Sequence, residues 1–599
     1  MLVITFMLFI ATFLVNMNFA DATNYIVNTP NCQIPDVNPY DESIDGLIRK
    51  LSPLACSSLP PLTGVTRSES EADGFTHTLH LYHYHFVHYN LIAEESRCCY
   101  AVVTRSTSMM KDYFNYPDDD YKIGACIYFN RDVIFRGEEE FIKVTCEGQT
   151  GPYSFGPAYT NMHAFIGNKV EVRRKMEAQN KARKRNKARK MSIMILGLDS
   201  MSRLNMMRTM PKTVEYLRQF GWYNMKGLTK MGDNKFPNLM AMLTGEKMDP
   251  KIRSCGPGQY TFDNCPIIWK AAAGDGYITA YVEDSPWTST FNFMKLGFFK
   301  PPTDYYMRPF FLAAYSNIDQ VVLNERDVCY GPTKMVDHIL NYAQEFSEKF
   351  VNQSTFSQFW MNNFSPTLAL DSKIVLFLKK LAESGTMNTT MIFFLSDHGT
   401  RYGKIRETFL GYLGDRLPFM YVWVPKWWQK AYPTKMKNLE RNGNRLTSHY
   451  DVYQTMVDAL GKNLTAPGCP KCRSLFRLVP WGRSCKDAGI PDYWCACADY
   501  EKLPTEGPLS LEMAQTVLIE INNIVDRYSG YVENGFQCAT LRLDKVISLY
   551  KKYPTNSQEL TQEWVMVLRT EPGKSIFEAS AILSGDNDFQ ITRSSLLRQ

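Results

Sequence analysis

Past its first residues the sequence has no further stretch of about 18 uninterrupted apolar residues, which excludes a helical multi-span membrane protein. Self-similarity at a period of about 20 to 50 residues is also lacking, so a solenoid or propeller is excluded as well. No segment is poor enough in Leu, Ile, Val and Phe to read as a long disordered region. What is left is a globular chain, with 45% apolar and 13% aromatic residues among 599. That length is too great for one ordinary core, so a large central domain with flanking subdomains is expected.

The chain opens on an apolar run from Leu2 to Val15, followed by Ala20-Asp21-Ala22. This run is short for a bilayer span and reads as a cleaved signal peptide, residues 1–22. No positive residue precedes it beyond the amino terminus, so a retained type II anchor is the alternative. A secreted protein is expected, or one held in the lumen of the secretory pathway, with no integral span once the peptide is cleaved. Fifteen cysteines fit that compartment as disulfides, and their odd number implies at least one free or intermolecular thiol. Cys469, Cys472, Cys485, Cys495 and Cys497 crowd one region as a CxxC and a CxC, where bridges are favoured over zinc. Sequons at Asn352, Asn363, Asn388 and Asn463 point to a glycoprotein surface.

The net charge of +6 is concentrated in EVRRKMEAQNKARKRNKARK, residues 171–190. The run is basic, without aromatics, and helix-forming. It reads as a solvated helix or linker, with polyanion binding as the sharper alternative; no sequence-specific nucleic-acid partner is expected. Ahead of it, residues 23–170 hold short β-like runs and six scattered cysteines, as in a small disulfide-rich subdomain. Within them, His77, His80, His83, His85 and His88 alternate with apolar residues. Period-2 spacing predicts a strand with His83 and His85 on one face and His80 and His88 on the other, in preference to a metal site.

From Met191 the character changes. MSIMILGLDS, DGYITAYVED, TTMIFFLSDHG and LPFMYVWVP read as buried strands. PKTVEYLRQFG, KFPNLMAMLTG, SKIVLFLKKLAESG and SHYDVYQTMVDALG read as helices, the second starting at Pro237. Strand and helix alternate through residues 191–503, which predicts an α/β fold with a doubly wound, mostly parallel sheet. Residues 504–599, one helix and three strand-like runs, predict a small antiparallel α+β subdomain.

Two of the strands end in GLDSMSR and SDHG. Ligands bind at the carboxyl ends of strands in such sheets, so Asp199, Asp397 and His398 are candidates to converge although far apart in sequence. Their donor set suits zinc or another divalent cation.

GLDSMSR, GDNKFPNLMAMLTG, YVEDSPW, SDHGTRYG and LTSHYDVYQTM, in this order, resemble the sulfatase-like domain of unknown function 229 family of animal secreted proteins, within the alkaline phosphatase superfamily. CQIPDVNPYD, SRCCY and PDYWCAC resemble the same family's flanking regions. The resemblance implies an alkaline phosphatase/sulfatase-like fold. It also implies two divalent metals flanking a nucleophile that attacks a phosphate or sulfate ester. It assigns Asp199, Asp397 and His398 to one metal, zinc first, with calcium and manganese as alternatives. His449 becomes a candidate ligand of a second, doubtful site, while Asp451 is expected to cap the following helix.

At two positions the chain departs from the pattern that the resemblance implies. Lys235 stands where related hydrolases carry a Thr or Ser nucleophile before the FPN turn, and an ammonium is no nucleophile while protonated. Pro366 and Thr367 stand where a His and an acidic residue are expected, and a pyrrolidine offers no donor; Asp371 nearby is expected to serve as an N-cap. Formylglycine chemistry is rejected because CGPGQ at Cys255 lacks the Arg and CPKCR at Cys469 has the wrong order. The expectation is therefore a degenerate hydrolase site that binds an anionic small molecule, glycan or phosphate ester, or a partner. The alternative is an active metal-dependent hydrolase using Ser200, Ser202 or a metal-bound water.

Overall fold

The computed structural model describes residues 24–47, 55–70, 74–92, 96–106, 118–151, 154–186, 190–247, 261–323, 326–363, 368–527, 538–554, 562–583, 589–591 and 597–598. The expected signal peptide, Cys255, Pro366 and Thr367 lie outside them. The chain divides into two compact units: residues 43–495, and residues up to 42 together with 496–597.

The larger unit is an α/β structure around a seven-stranded sheet. Its strands are β1 (Ser192–Leu198), β2 (Tyr223–Asn224), β3 (Ile278–Glu283), β4 (Tyr305–Tyr306), β5 (Thr355–Met361), β6 (Thr390–Leu395) and β7 (Met420–Trp423). They lie in the order β2-β7-β6-β1-β5-β3-β4. β1 pairs in parallel with β5 and β6, and β3 in parallel with β5 and β4; β7 runs antiparallel to both its neighbours. All residues of β1, β3, β5 and β6 are buried, so both faces of the sheet are covered. That is why β1, β3 and β6 read as unbroken apolar runs rather than alternating ones. β5 was not legible that way, because the buried Ser357 and Gln358 interrupt its run.

The helices that matter here are α1 (Val170–Asn186), α2 (Arg203–Thr209), α3 (Pro211–Gln219), α4 (Lys235–Thr244), α5 (Met335–Lys349), α6 (Leu368–Glu383) and α7 (His449–Ala459). One core joins Met194, Leu196 and Leu198 of β1 and Phe359 of β5 to Ile339 and Phe346 of α5 and Ile374 and Leu378 of α6. Residues 171–186 of the basic run lie in α1, which packs as a helix: Val172 is buried, Lys175 bonds Asp304 at 2.8 Å, and Gln179 bridges the carbonyls of Gly276 and Ser354. Arg173, Arg174, Lys181, Lys184 and Arg185 remain exposed.

Two smaller antiparallel sheets precede α1; Cys98–Cys146 and Cys99–Cys126 both start from one strand of the five-stranded sheet, Arg97–Arg105, while Cys56–Cys329 reaches the strand Arg326–Tyr330. Here the histidine-rich run departs from expectation. The strand ends at Leu81 and His83–Tyr89 form a 3-10 helix, closed by Asn90 in the left-handed region. His85 packs edge-on against the rings of Tyr82 and Tyr84, and this local ring packing, available only in the turn, competes with the period-2 pattern. The imidazoles take separate partners: His77 bonds Glu345, His80 bonds Thr66 and Asp132, and His85 bonds the carbonyl of Pro61.

The smaller unit pairs Tyr25–Thr29 with Cys32–Pro35 and contains a six-stranded sheet of C-terminal strands, antiparallel along its main path. A helix, Pro508–Arg527, lays Met513, Ala514, Val517 and Ile521 against Leu549, Trp564, Met566 and Leu568 of that sheet. Cys32–Cys497 staples the first strands to it. The structure thus groups residues 24–42 with the C-terminal residues, whereas the sequence placed them with 43–170. Cys538 is free and exposed, in line with the odd cysteine count. No helix among the described residues is long and apolar enough to cross a membrane.

Candidate functional site

Four neighbouring parallel strands, in the order β6-β1-β5-β3, release polar residues at their carboxyl ends. Asp397 and His398 follow β6, Asp199 follows β1, Asn362 and Asn363 follow β5, and Glu283 and Asp284 close β3. Two glycines make this packing feasible. A Cβ on Gly197 would lie 1.9 Å from the Trp360 ring, and one on Gly399 would lie 1.9 Å from the carbonyl oxygen of Gly414.

Asp199, Asp397 and His398 do converge, with potential ligand atoms all within 4.8 Å of one another. His398 Nε2 is 3.3 Å from Asp397 Oδ2 and 3.8 Å from Asp199 Oδ1. His398 Nδ1 lies 2.7 Å from the Gly399 carbonyl oxygen, which needs a proton on Nδ1 and leaves the Nε2 lone pair facing the carboxylates. Burial pushes the imidazole down to about 4, against the pull of Asp199, so it is neutral. Burial raises the Asp397 carboxyl well above its usual range, and the charge of Asp199 adds to this. Asp397 Oδ1 accepts from the Ser200 amide at 3.1 Å, while Asp397 Oδ2 and His398 Nε2 have no hydrogen-bond partner among the described residues. Two carboxylates facing a bare lone pair, with Asp397 and His398 buried and Asp199 partly exposed, are mutually repulsive, and a divalent cation satisfies all three.

His449 opens α7 fully buried beside His398 and the Ser396 backbone. Neither of its ring nitrogens makes a well-formed hydrogen bond, and burial holds its pKa down at about 3. Asp451 caps α7 as expected, its Oδ2 accepting from the Ser448 amide at 2.9 Å in a capping box. It is also clamped by Arg483 at 2.7 and 3.0 Å, a pairing no local pattern announced.

Lys235 is buried at the first residue of α4, two residues before Pro237 where the helix was expected to begin. Its Nζ donates to Glu283 Oε1 at 2.7 Å, the Thr288 carbonyl at 2.8 Å and Asn362 Oδ1 at 2.5 Å. Burial pulls the ammonium down, but the charges of Glu283, Asp199 and Asp397 outweigh it and the pKa stands above its ordinary value. Three donors meet three acceptors, so the group is a fixed cation with no lone pair. Glu283 accepts in turn from Tyr281, Thr290 and Asn362. Asn238, the Asn of the FPN turn, fixes the preceding loop by accepting from the Met231 and Gly232 amides and donating to the Gly232 and Asn234 carbonyls.

A family model described as a protein of unknown function, DUF229, matches residues 52–547. The chain belongs to that family. No curated protein matches it. Among solved structures it is similar to the lipoteichoic acid synthase LtaP from Listeria monocytogenes, at 12% identity, covering 67% of this chain and 87% of that one, with a TM-score of 0.34. A protein in the alkaline phosphatase superfamily from Vibrio parahaemolyticus is similar at 10% identity, over 68% and 83% of the two chains, with a TM-score of 0.35. The phosphonate monoester hydrolase SpPMH from Silicibacter pomeroyi is similar at 12% identity, over 67% and 91%, with a TM-score of 0.33.

Other candidate residues of this DUF229 chain have structural partners. Asp371 caps a helix, though not its own: it accepts from the Lys212 and Thr213 amides at the start of α3, at 2.9 and 2.7 Å. Ser202 is buried and caps α2 by accepting from the Asn205 amide at 3.0 Å. Ser200 is partly exposed, sits at φ +59° and donates to Asp199 Oδ1 at 3.3 Å. Both Asp284 oxygens accept from the Asn362 and Asn363 amides. Of the sequons, Asn352, Asn388 and Asn463 are exposed, whereas Asn363 is buried at the end of β5. The CxxC and CxC cysteines are used in bridges, Cys469–Cys472, Cys485–Cys495 and Cys497–Cys32, not in a zinc site.

Proposed function

We propose that this DUF229 protein carries a degenerate form of a phosphate or sulfate ester hydrolase site, which binds an anionic ligand without turning it over. One divalent cation, zinc first and calcium or manganese as alternatives, would be held by Asp199, Asp397 and His398. Bound there, it would supply a Lewis acid for an ester oxygen. His449 would support His398 from behind rather than complete a second metal site. The observation that carries this reading is Lys235: a fully engaged ammonium, next to the two carboxylates, at the position where α4 begins. It cannot attack an ester, but its charge favours a phosphate, a sulfate or an acidic glycan. The disulfides and the exposed sequons support an extracellular or luminal setting.

The test is metal analysis of the purified protein together with phosphate and sulfate calorimetry and an ester-hydrolysis screen with added Zn, Mn and Ca. One metal per chain, anion binding lost in Asp199→Asn, and no turnover are expected. Two tightly held metals with steady turnover overturn the proposal. A second reading, an active hydrolase, draws on Ser200, whose left-handed backbone at the strand end stores strain of about 1–3 kcal/mol, as reactive positions often do. Turnover abolished by Ser200→Ala would favour it.

A further inference from the structure

The Cys469–Cys472 bridge closes a Cys-Pro-Lys-Cys loop and takes no part in the site described above. Its surroundings suit the reduced form as well as the oxidised one. Cys469 Sγ lies 3.4 Å from the carbonyl oxygen of Asp487, and Cys472 Sγ lies 3.3 Å from that of Ala488. A disulfide sulfur has no proton to give, so these approaches do nothing for the bridge, yet they are ready-made acceptors for a thiol. Arg483, 3% exposed, donates from Nη2 to Cys472 Sγ at 3.1 Å. A buried guanidinium against a sulfur stabilises a thiolate far more than a disulfide. Exposure is divided as exchange chemistry requires: Cys469 is buried, whereas Cys472 is partly exposed. In Cys32–Cys497 and Cys98–Cys146 both partners are buried, whereas Cys56–Cys329, Cys99–Cys126 and Cys485–Cys495 show the same division, so it is the Arg483 guanidinium against the accessible sulfur that favours exchange here.

We propose that Cys469 and Cys472 form a thiol–disulfide exchange site whose substrate is a small thiol of the glutathione class. A thiolate of that substrate attacks Cys472 Sγ, the S–S bond breaks, and Cys469 leaves, takes up a proton and bonds to the Asp487 carbonyl. A second substrate thiolate attacks the substrate sulfur of the mixed disulfide. This releases the oxidised substrate and the Cys472 thiolate, which Arg483 holds. Two electrons pass to the protein, two substrate thiols become one disulfide, and the second thiol proton goes to water. Arg483 also clamps Asp451, the cap of α7, so the exchange draws on the same guanidinium that secures the helix carrying His449.

The intact protein is equilibrated in glutathione buffers of graded ratio, quenched by alkylation and read by peptide mass spectrometry. Cys469–Cys472 is expected to be half reduced in a buffer at least tenfold more oxidising than any other bridge tolerates before opening, about 30 mV for a two-electron couple. Opening together with the other bridges, or after them, overturns the proposal. In the selectively reduced protein, the rate at which iodoacetamide captures Cys472 is followed against pH. A midpoint below about pH 8 is expected, against about 8.5 for an ordinary thiol, and a midpoint at or above that mark overturns the thiolate held by Arg483.

Discussion

At Lys235 a side chain that would ordinarily sit in water is buried and held by the buried Glu283 and Asn362 and by the backbone carbonyl of Thr288. Removing one member of a buried ion pair leaves the other charged and uncompensated, at a cost of about 3–5 kcal/mol. Lys235→Met should therefore lower the stability measured by urea unfolding by about 3 kcal/mol, the lower end, because Glu283 keeps Tyr281, Thr290 and Asn362. Two other residues contribute to the response to acid, as do His398 and His449, which burial also lowers, to about 4 and about 3. Burial pulls His163 down to about 4 and His338 to about 3, His338 also feeling His163. Both lie below the unfolded value of about 6.5. Their contribution is thus complete above pH 6.5 and is lost as pH falls toward 4, because the unfolded chain binds the protons first. Urea midpoints measured between pH 7 and 4.5 should fall, and His163→Asn should remove about one proton from that slope.

Among the elements, the junction of β1 and β5 is one of the two tightest places described at the site, with that of Gly399 and Gly414. Gly197→Ala would drive a Cβ into the buried Trp360 ring, so overpacking of about 1–3 kcal/mol is expected from denaturant unfolding, with weakened retention of the proposed metal as the end of β1 moves Asp199. β1, β3 and β6 were legible because burial of both faces favours apolar residues at successive positions, and so were the carboxylates and imidazole at their ends. β5 was hidden by Ser357 and Gln358. The pairing of Lys235 with Glu283 was hidden for another reason: DGYITAYVED marks Glu283 as a strand end, but a contact across 48 residues leaves no local trace. The histidine-rich run misled in the opposite way, since its alternation was genuine and ring packing still bent the chain into a 3-10 turn.

At the scale of the whole molecule, the sequence of the larger unit is inserted between the two segments of the smaller one, whose first strands and last sheet are separated by more than four hundred residues and joined by Cys32–Cys497. Sequence periodicity carries no record of such a join. Cys32→Ser with Cys497→Ser should lower the stability of the smaller unit by about 2–4 kcal/mol, seen as an earlier first transition on heating, while metal content stays unchanged. The same bond makes a covalent ring of the 465-residue stretch between the two sulfurs. A protease that nicks the backbone once anywhere inside that ring linearises it without releasing a fragment, so the cut protein keeps its full mass until a reductant is added.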